Sequence, residues 1–390
     1  MSGSAGAARF TPAFLESLRA EGDPSADAAV AAFFRSADAQ GPALYARLGH
    51  TREQDMDNAA FPGVGTFVRE RPPWPDWADE ATVRAGQEVF GRWGMQLSLG
   101  LFLASLPATY LCAKGTVPLV RTARLVSHPR RRILETGQMI IEAMTPGALV
   151  PGQRGERAVR HVRLMHATVR YGLTHPGALG ALGGAEGEGW DNALGVPLNQ
   201  EDLLGTLLAF SALGLDALER LGVALSEREA EAYVHAWNVV GAQIGVREDL
   251  LPLSAPDARR VATAILADQR SASAEGRELM ASTIAAMDEL TGLPLVRGLP
   301  ASGVRYFLGD ADADLLGIAP ANWTRHLFAV MRRLDGPVDR LLTRLPGQHR
   351  LSAVLGRRVV TGLETVERGP GRPRFEISEE LRAAWGVATP

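Results

Sequence analysis

The sequence is poor in cysteine and lysine, and each shortage excludes a kind of chemistry. Its 390 residues include one cysteine, Cys112, and one lysine, Lys114. A single thiol excludes an internal disulfide framework, cysteine-rich zinc sites and cysteine-held iron–sulfur clusters, and it is typical of a reducing compartment. Any reaction that needs a lysine amine has only Lys114 to use. We therefore expect Cys112 to be a buried structural residue.

Signals for export, membrane insertion and nucleic-acid binding are also missing. The first ten residues contain neither an apolar leader segment nor twin arginines, so a cytoplasmic location is expected. The net charge is −3 without a long basic run, which argues against nucleic acid as a partner. The one candidate membrane span, 97–113, contains Pro107 and several polar residues and is short for a bilayer. It therefore predicts a buried helix, and the sequence gives no reason to expect a membrane partner.

Helical periodicity dominates the rest of the chain. Apolar residues recur at steps of three and four in segments bounded by glycine or proline, and clean strand alternation is rare. The sequence predicts an all-α protein with a single helical core domain at 81–345, an N-terminal helical and loop arm at 1–80 and a C-terminal extension at 346–390. A late hairpin is expected at 359–367 and 373–377. The predicted helices are 11–20, 26–39, 80–94, 95–112, 116–127, 130–145, 156–174, 200–221, 226–245, 255–272, 274–291, 301–310 and 320–343.

The stretch 160–170 organises this helical core. On a helix, Val159, Val162, His166, Val169 and Leu173 share one face, which is apolar except for the imidazole at its centre. Arginines at positions 163 and 170 border that face. An imidazole on an apolar face between guanidinium groups suits a haem, because the iron takes a neutral nitrogen ligand and the propionates take cationic partners. The alternative is a core histidine satisfied by a backbone carbonyl, with arginines that are simply solvated.

Several blocks resemble one enzyme family. They are Arg132-Ile133-Leu134-Glu135-Thr136, Arg163-Leu164-Met165-His166, the segment 197–204 and the segment 233–241. Together they resemble the rubber oxygenase (latex clearing protein) and MpaB-type oxygenase family over about 85–255. The resemblance implies a b-type haem in a globin-like helical core, with His166 as its proximal ligand.

The resemblance also points to a distal side, where this sequence departs from the family. In the rubber oxygenases an Arg-x-x-Lys-Thr element faces the iron, and here Arg132, Glu135 and Thr136 take those positions, so Glu135 replaces the lysine. A lysine-capped closed state is therefore not expected, and polyisoprene is not the substrate we expect. The family's upstream glutamate base has no counterpart either, because no Asp or Glu lies between 97 and 131. Glu135 becomes the candidate base, with a pKa raised by burial, unless it only pairs with Arg131 or Arg132.

These observations predict a haem b-dependent oxygenase that uses dioxygen on an apolar alkene or isoprenoid-like small molecule, by C=C cleavage or oxygen insertion. Arg132 would hold a propionate or orient Glu135, and Thr136 would donate to distal oxygen. Arg163 and Arg170 would hold propionates. Met139, one turn after Glu135, would form pocket wall or core. Two alternatives stay open: a peroxide-dependent or hydroxylating haem enzyme of secondary metabolism, and a helical haem- or ligand-binding protein without turnover.

Overall fold

The computed structural model describes residues 9–36, 63–122, 129–175, 189–291 and 298–326, without the side chains of 129–134 and 289–291. Helices form the architecture, and the described ranges contain no strand; only an isolated bridge joins the backbones of Cys112 and Arg270. The helices are α1 (Pro12–Leu18), α2 (Pro24–Phe34), α3 (Val64–Arg69), α4 (Glu80–Gly100), α5 (Leu106–Tyr110), α6 (Ala113–Arg121), α7 (Pro129–Ala143), α8 (Arg154–Thr174), α9 (Gln200–Phe210), α10 (Ala212–Arg220), α11 (Glu227–Ile244), α12 (Ala255–Gln269), α13 (Ala274–Thr291), α14 (Leu299–Leu308) and α15 (Asp310–Leu315). The expected all-α fold is confirmed.

Short polar side chains start most of the long helices. Asp23, Asp79, Asn199 and Ser254 each cap a helix by accepting a hydrogen bond from a backbone N–H in its first turn. Ser226 forms a capping box with the glutamate three residues later. Each cap satisfies a backbone donor that has no partner inside the helix. The sequence therefore sets these helix starts locally, as expected for Asn199.

Two long central helices, α4 and α11, pack along each other. Their backbones approach closely at Gly86, where an added Cβ would lie 2.1 Å from the carbonyl oxygen of Ala232. Fully buried aromatic side chains, Phe90 on α4 with Tyr233 and Trp237 on α11, fill the core around this contact. A side chain at position 86 would force the helices apart, so glycine is required there.

Three of the predicted helices are joined or split in the structure for local reasons. The predicted helices 80–94 and 95–112 form one run, in which a π-helix (Leu101–Ser105) joins α4 to α5. The predicted helix 200–221 is split at Ser211, whose hydroxyl donates to the carbonyl of Leu207, a contact that bends helices. None of the described helices is long and apolar enough to cross a membrane. The expected hairpin and C-terminal extension lie outside the described residues.

Helix α8 contains residues 160–170, including His166, and lies between other helices. It packs on α2, α7, α11 and one edge of α6. Its apolar residues are divided among three cores: Val159 belongs to the main core, Leu164 and Ala167 pack on α2 and α3, and Val169 and Leu173 form a smaller cluster. The N-terminal helices thus pack directly on the helix that bears His166.

Candidate active site

Helices α7 and α8 form a hairpin that places the two predicted halves of the site together. Gly155 makes the close approach: an added Cβ would lie 2.6 Å from the carbonyl oxygen of Glu142. From that contact His166 lies 11 residues, about 16.5 Å, along α8, and Glu135 lies seven residues, about 10.5 Å, along α7. The two residues are therefore about 6 Å apart along the hairpin axis. The structure brings Glu135 and His166 to the same end of one helical hairpin.

His166 lies half-buried on α8, and its Nδ1 atom is buried. Its helix neighbours Val162 and Met165 are partly buried apolar side chains, as are Leu119 and Val120 on the adjacent helix α6. Partial exposure of apolar groups on interior helices is unusual in a filled core. Val162, one turn before His166, and Met165 therefore leave partly exposed apolar surface next to the imidazole on its own helix.

The other residues of the predicted distal element lie on α7. Glu135 and Thr136 are partly buried. Arg132 is on the same helix, but its side chain lies outside the described residues. Met139 is 8% exposed in the main core, near the level of Val159 and about 11 Å along the axis from His166. We therefore assign Met139 to the core, the alternative that its sequence position also allowed.

Arg163 holds the start of α2 in place. Its Nε and Nη2 donate to the two carboxylate oxygens of Asp23 at 2.6 and 2.9 Å, and Nη2 also donates to the Ser25 hydroxyl. Burial alone would raise the pKa of Asp23, but its hydrogen bond and charge interaction with Arg163 outweigh burial and hold that pKa below its usual range. This bidentate pair commits Arg163 to a protein contact, so its predicted propionate role loses its geometric support.

Arg170 has a different pattern of contacts. Its Nε donates to Asp27 at 2.8 Å, and its Nη1 donates to the carbonyls of Pro197 and Leu198. Its Nη2 is buried without a hydrogen-bond partner. A buried guanidinium nitrogen without an acceptor is costly, and an anion such as a carboxylate would satisfy it. Arg170 is thus the candidate with a donor still available for a propionate.

The pairing of α8 with α2 escaped the sequence reasoning. Asp23 and Asp27 were visible as helix-start residues, and the seven-residue spacing of Arg163 and Arg170 matches two helical turns. Only the packing of α2 on α8 shows that these charges meet. Arg160 was missed in the same way: it is buried and donates to the carbonyls at the end of α3, those of Phe67, Val68 and Glu70.

The downstream blocks 197–204 and 233–241 are largely structural. Leu198 has φ of +51°, the one left-handed non-glycine residue among those described, and its carbonyl accepts the Arg170 contact at 2.6 Å. In the second block Tyr233 and Trp237 are core residues, and Nε2 of His235 accepts from the backbone N–H of Asp79 at 3.1 Å. Burial lowers the pKa of His235. This histidine therefore binds the protein's own backbone at the start of α4.

The donor set on α8 fits the demands of a porphyrin. The described residues contain no group of three or more His, Cys, Asp or Glu side chains arranged to hold a metal. A porphyrin brings its own ring nitrogens and takes a single axial imidazole from the protein, with cations for its propionates. A half-buried imidazole beside apolar side chains, with an unsatisfied guanidinium nitrogen one turn along the same helix, meets those demands.

Comparison with known proteins identifies the family of this chain. Residues 89–335 match the family described as ER-bound oxygenase mpaB/B'/Rubber oxygenase, catalytic domain. The chain is 25% identical over 318 residues to the rubber oxygenase of Streptomyces sp. (strain K30), an alignment covering 79% of this chain and 73% of that protein. It matches the structure of latex clearing protein in the closed state with a TM-score of 0.67, at 21% identity, over 93% of this chain and 95% of that chain. The chain belongs to the mpaB and rubber oxygenase family of oxygenases.

Proposed function

We propose that this oxygenase binds a b-type haem through His166 and uses dioxygen to cleave or oxygenate a C=C bond in an apolar, isoprenoid-like small molecule. The observation that carries the proposal is the position of His166, half-buried beside apolar side chains and level with Glu135 on the facing helix. Bound there, the haem would supply the redox-active iron at which dioxygen is activated. The remaining chemistry falls to the protein's own side chains.

On the α8 side, His166 would bind the haem iron and Arg170 would hold a propionate. The neutral imidazole is the form that binds iron, because the coordinating nitrogen must be unprotonated. Arg170 carries the propionate through Nη2, the buried donor that has no partner within the protein. Its contacts with Asp27 and with the carbonyls of Pro197 and Leu198 orient that nitrogen. We leave Arg163 out of the cofactor site, because its guanidinium group is already paired with Asp23.

On the α7 side, we assign Glu135 the role of holding and passing a proton at its carboxylate oxygens. A partly buried carboxyl group near the reacting atoms can do this when its pKa approaches neutrality. Thr136 is the next residue on the helix and would donate its hydroxyl to distal oxygen, and Arg132 would orient Glu135 or hold the second propionate. The apolar side chains of Leu119, Val120 and Met165 would hold an apolar substrate and exclude water.

An absorption spectrum of the purified or haemin-reconstituted protein tests the ligand assignment. We expect a Soret band that is lost in His166→Ala and kept in His175→Ala, a matched change at an exposed histidine just beyond the same helix. In His166→Gly, added imidazole should restore the band, which separates loss of the ligand from loss of the fold. A full Soret band in His166→Ala would overturn the proposal.

Glu135→Lys tests the distal assignment. This change restores the lysine of the rubber oxygenase pattern, so the spectrum should shift to that of an iron with an additional nitrogen ligand. Glu135→Gln keeps the size of the side chain without its charge, so it should retain haem while product formation from an alkene falls and its pH profile loses one limb. Unchanged spectra and turnover in both variants would place Glu135 away from the reacting atoms.

A further inference from the structure

A buried polar cluster lies away from His166, where α1, α9 and α12 meet. Arg19 is 1% exposed and donates through Nη1 to Glu201 at 2.9 Å and to Asp202 at 3.1 Å. Glu201 is 0% exposed, and its Oε2 also accepts from the side-chain amide of Gln269. The cluster thus holds the Arg19 guanidinium and the Glu201 carboxyl group out of contact with water, beside the partly exposed carboxyl group of Asp202.

Two oxygens in this cluster have no hydrogen-bond partner. They are Oε1 of Glu201 and Oε1 of Gln269, on two side chains that are already joined through their other atoms. Both atoms are acceptors when the carboxyl group is ionised, so neither can satisfy the other. Leaving a buried acceptor unsatisfied costs a substantial part of a hydrogen bond, and the cost is higher for a charged group. The native fold tolerates two such atoms side by side only if something donates to them.

We infer that Glu201 is a neutral carboxylic acid in the folded protein, and that its own proton, on Oε1, is donated to Oε1 of Gln269. Gln269 already donates its amide to Oε2 of Glu201. Acid and amide then form a cyclic pair with one hydrogen bond in each direction. One proton satisfies both oxygens, and no further ligand is needed.

The net charge of the cluster is zero when Glu201 is protonated. Asp202 accepts from Arg19 on Oδ1 and from the Asn199 amide on Oδ2 at 2.9 Å, so both of its oxygens have donors and it is the carboxylate that balances Arg19. The Cys112 thiol faces the cluster from the start of α6 and adds no charge, because burial first, and then Asp202 and Glu201, raise its pKa to about 12. With Glu201 protonated the cluster is electrically neutral. With Glu201 ionised it would carry an unbalanced buried charge.

Nearby ionic groups do not supply the missing counter-charge. Lys114 is held by Glu16 at 2.7 Å, and Arg270, which follows Gln269, is paired with Asp312. Burial is the largest influence on Glu201 and raises its pKa to about 7 despite the hydrogen bond and charge of Arg19. The proton is therefore held through the acidic range and released near neutrality.

This site makes a structural junction sensitive to pH. Arg19 also donates to the carbonyl of Leu194, and Gln200, beside Glu201, bonds the backbones of Gly22, Gly245 and Arg247. Loss of the proton would leave a buried charge at the point where α1, α9 and the end of α11 are held together. The inference concerns the chain itself and does not depend on the cofactor proposed above.

Infrared spectroscopy of the full-length protein tests the protonation state directly. At about pH 6 we expect the carbonyl-stretching band of a protonated carboxylic acid, absent in Glu201→Gln and lost from the wild type as the pH rises past about 7. The exposed glutamate variant Glu80→Gln is the matched control and should keep the band. A carboxylate bridged to Gln269 by water or by a small cation would give no such band, and that result would overturn the inference.

Stability against pH gives a second readout. Glutamine is isosteric with the neutral acid and can donate to Gln269, so Glu201→Gln should match the wild type in acid. A pKa of about 7, against an ordinary 4.5, means that the folded state binds the proton more tightly, so wild-type stability falls relative to the variant as the pH rises from 4.5 to 7. The expected change in the folding equilibrium constant is roughly 80-fold between pH 4.5 and 7, and roughly 300-fold over the whole transition from well below pH 4.5 to well above pH 7. A constant difference across that range, or a midpoint that depends on exchanging sodium for potassium, would contradict the proton assignment.

Discussion

Replacing Arg163 with methionine separates a structural role for this arginine from a cofactor role. The change keeps an apolar stem but removes both hydrogen bonds to Asp23, whose side chain is 4% exposed. Asp23 would be left as a buried carboxylate without its counter-ion. Breaking a buried ion pair in this way costs about 3–5 kcal/mol, and the 16% exposure of Arg163 favours the lower end, about 3 kcal/mol. The loss should appear in the free energy of unfolding of the haem-free protein.

Urea unfolding followed by circular dichroism measures this loss, and two variants control it. Asp23→Asn combined with Arg163→Met should recover most of the stability, because asparagine still caps α2 and needs no counter-charge. Arg84→Met, which removes an exposed pair with Glu80, should cost under about 1 kcal/mol. If Arg163→Met alone stays within about 1 kcal/mol of the wild type in the haem-free protein, the structural assignment is wrong.

Three further outcomes are expected. The difference in unfolding free energy between wild type and Arg163→Met should be complete at neutral pH and shrink in strong acid. The pKa of Asp23 is lowered in the folded protein, so its stabilising contribution is present above pH 3.8 and is lost as the pH falls through the folded-state pKa. Urea midpoints measured at decreasing pH check this. Arg160→Met should remove the hydrogen bonds that hold the end of α3, lower the free energy of unfolding by about 1.5–3 kcal/mol and speed limited proteolysis there. An unchanged cleavage rate would show that Arg160 does not hold the end of α3. Gly86→Ala should destabilise by about 1–3 kcal/mol because its Cβ meets Ala232, whereas Gly189→Ala, with open space around it, should be near neutral; equal melting temperatures would contradict the close approach.

The sequence was informative about the site where the signal is local. The Arg-Leu-Met-His block, together with Arg132–Thr136 and the segments 197–204 and 233–241, identified the family to which the chain belongs. Side-chain roles at longer range were harder to predict. Arg163 and Arg170 look equivalent on a helical projection, yet one is fully engaged by Asp23 and the other keeps a buried donor. That difference depends on where α2 packs, which periodicity along α8 does not encode.

The polar residues of 199–202 also combine a role that the sequence predicts with contacts that only the fold reveals. Asn199 was recognised as a helix cap because capping is an interaction of neighbours in sequence. The partners of Glu201 are Arg19 and Gln269, more than sixty residues away on either side along the chain. Their meeting, and the protonation that follows from it, arises only when three helices close around them and exclude water.

By itself, the sequence determined the helical class and the helix starts, because caps and apolar periodicity act within a few residues. The tertiary structure decided which charges meet, how closely α4 and α11 approach at Gly86, and which buried atoms lack partners. Those properties depend on distances between segments far apart in the chain. Burial then converts such distances into energy, since a charge or an acceptor removed from water must find its partner inside the fold.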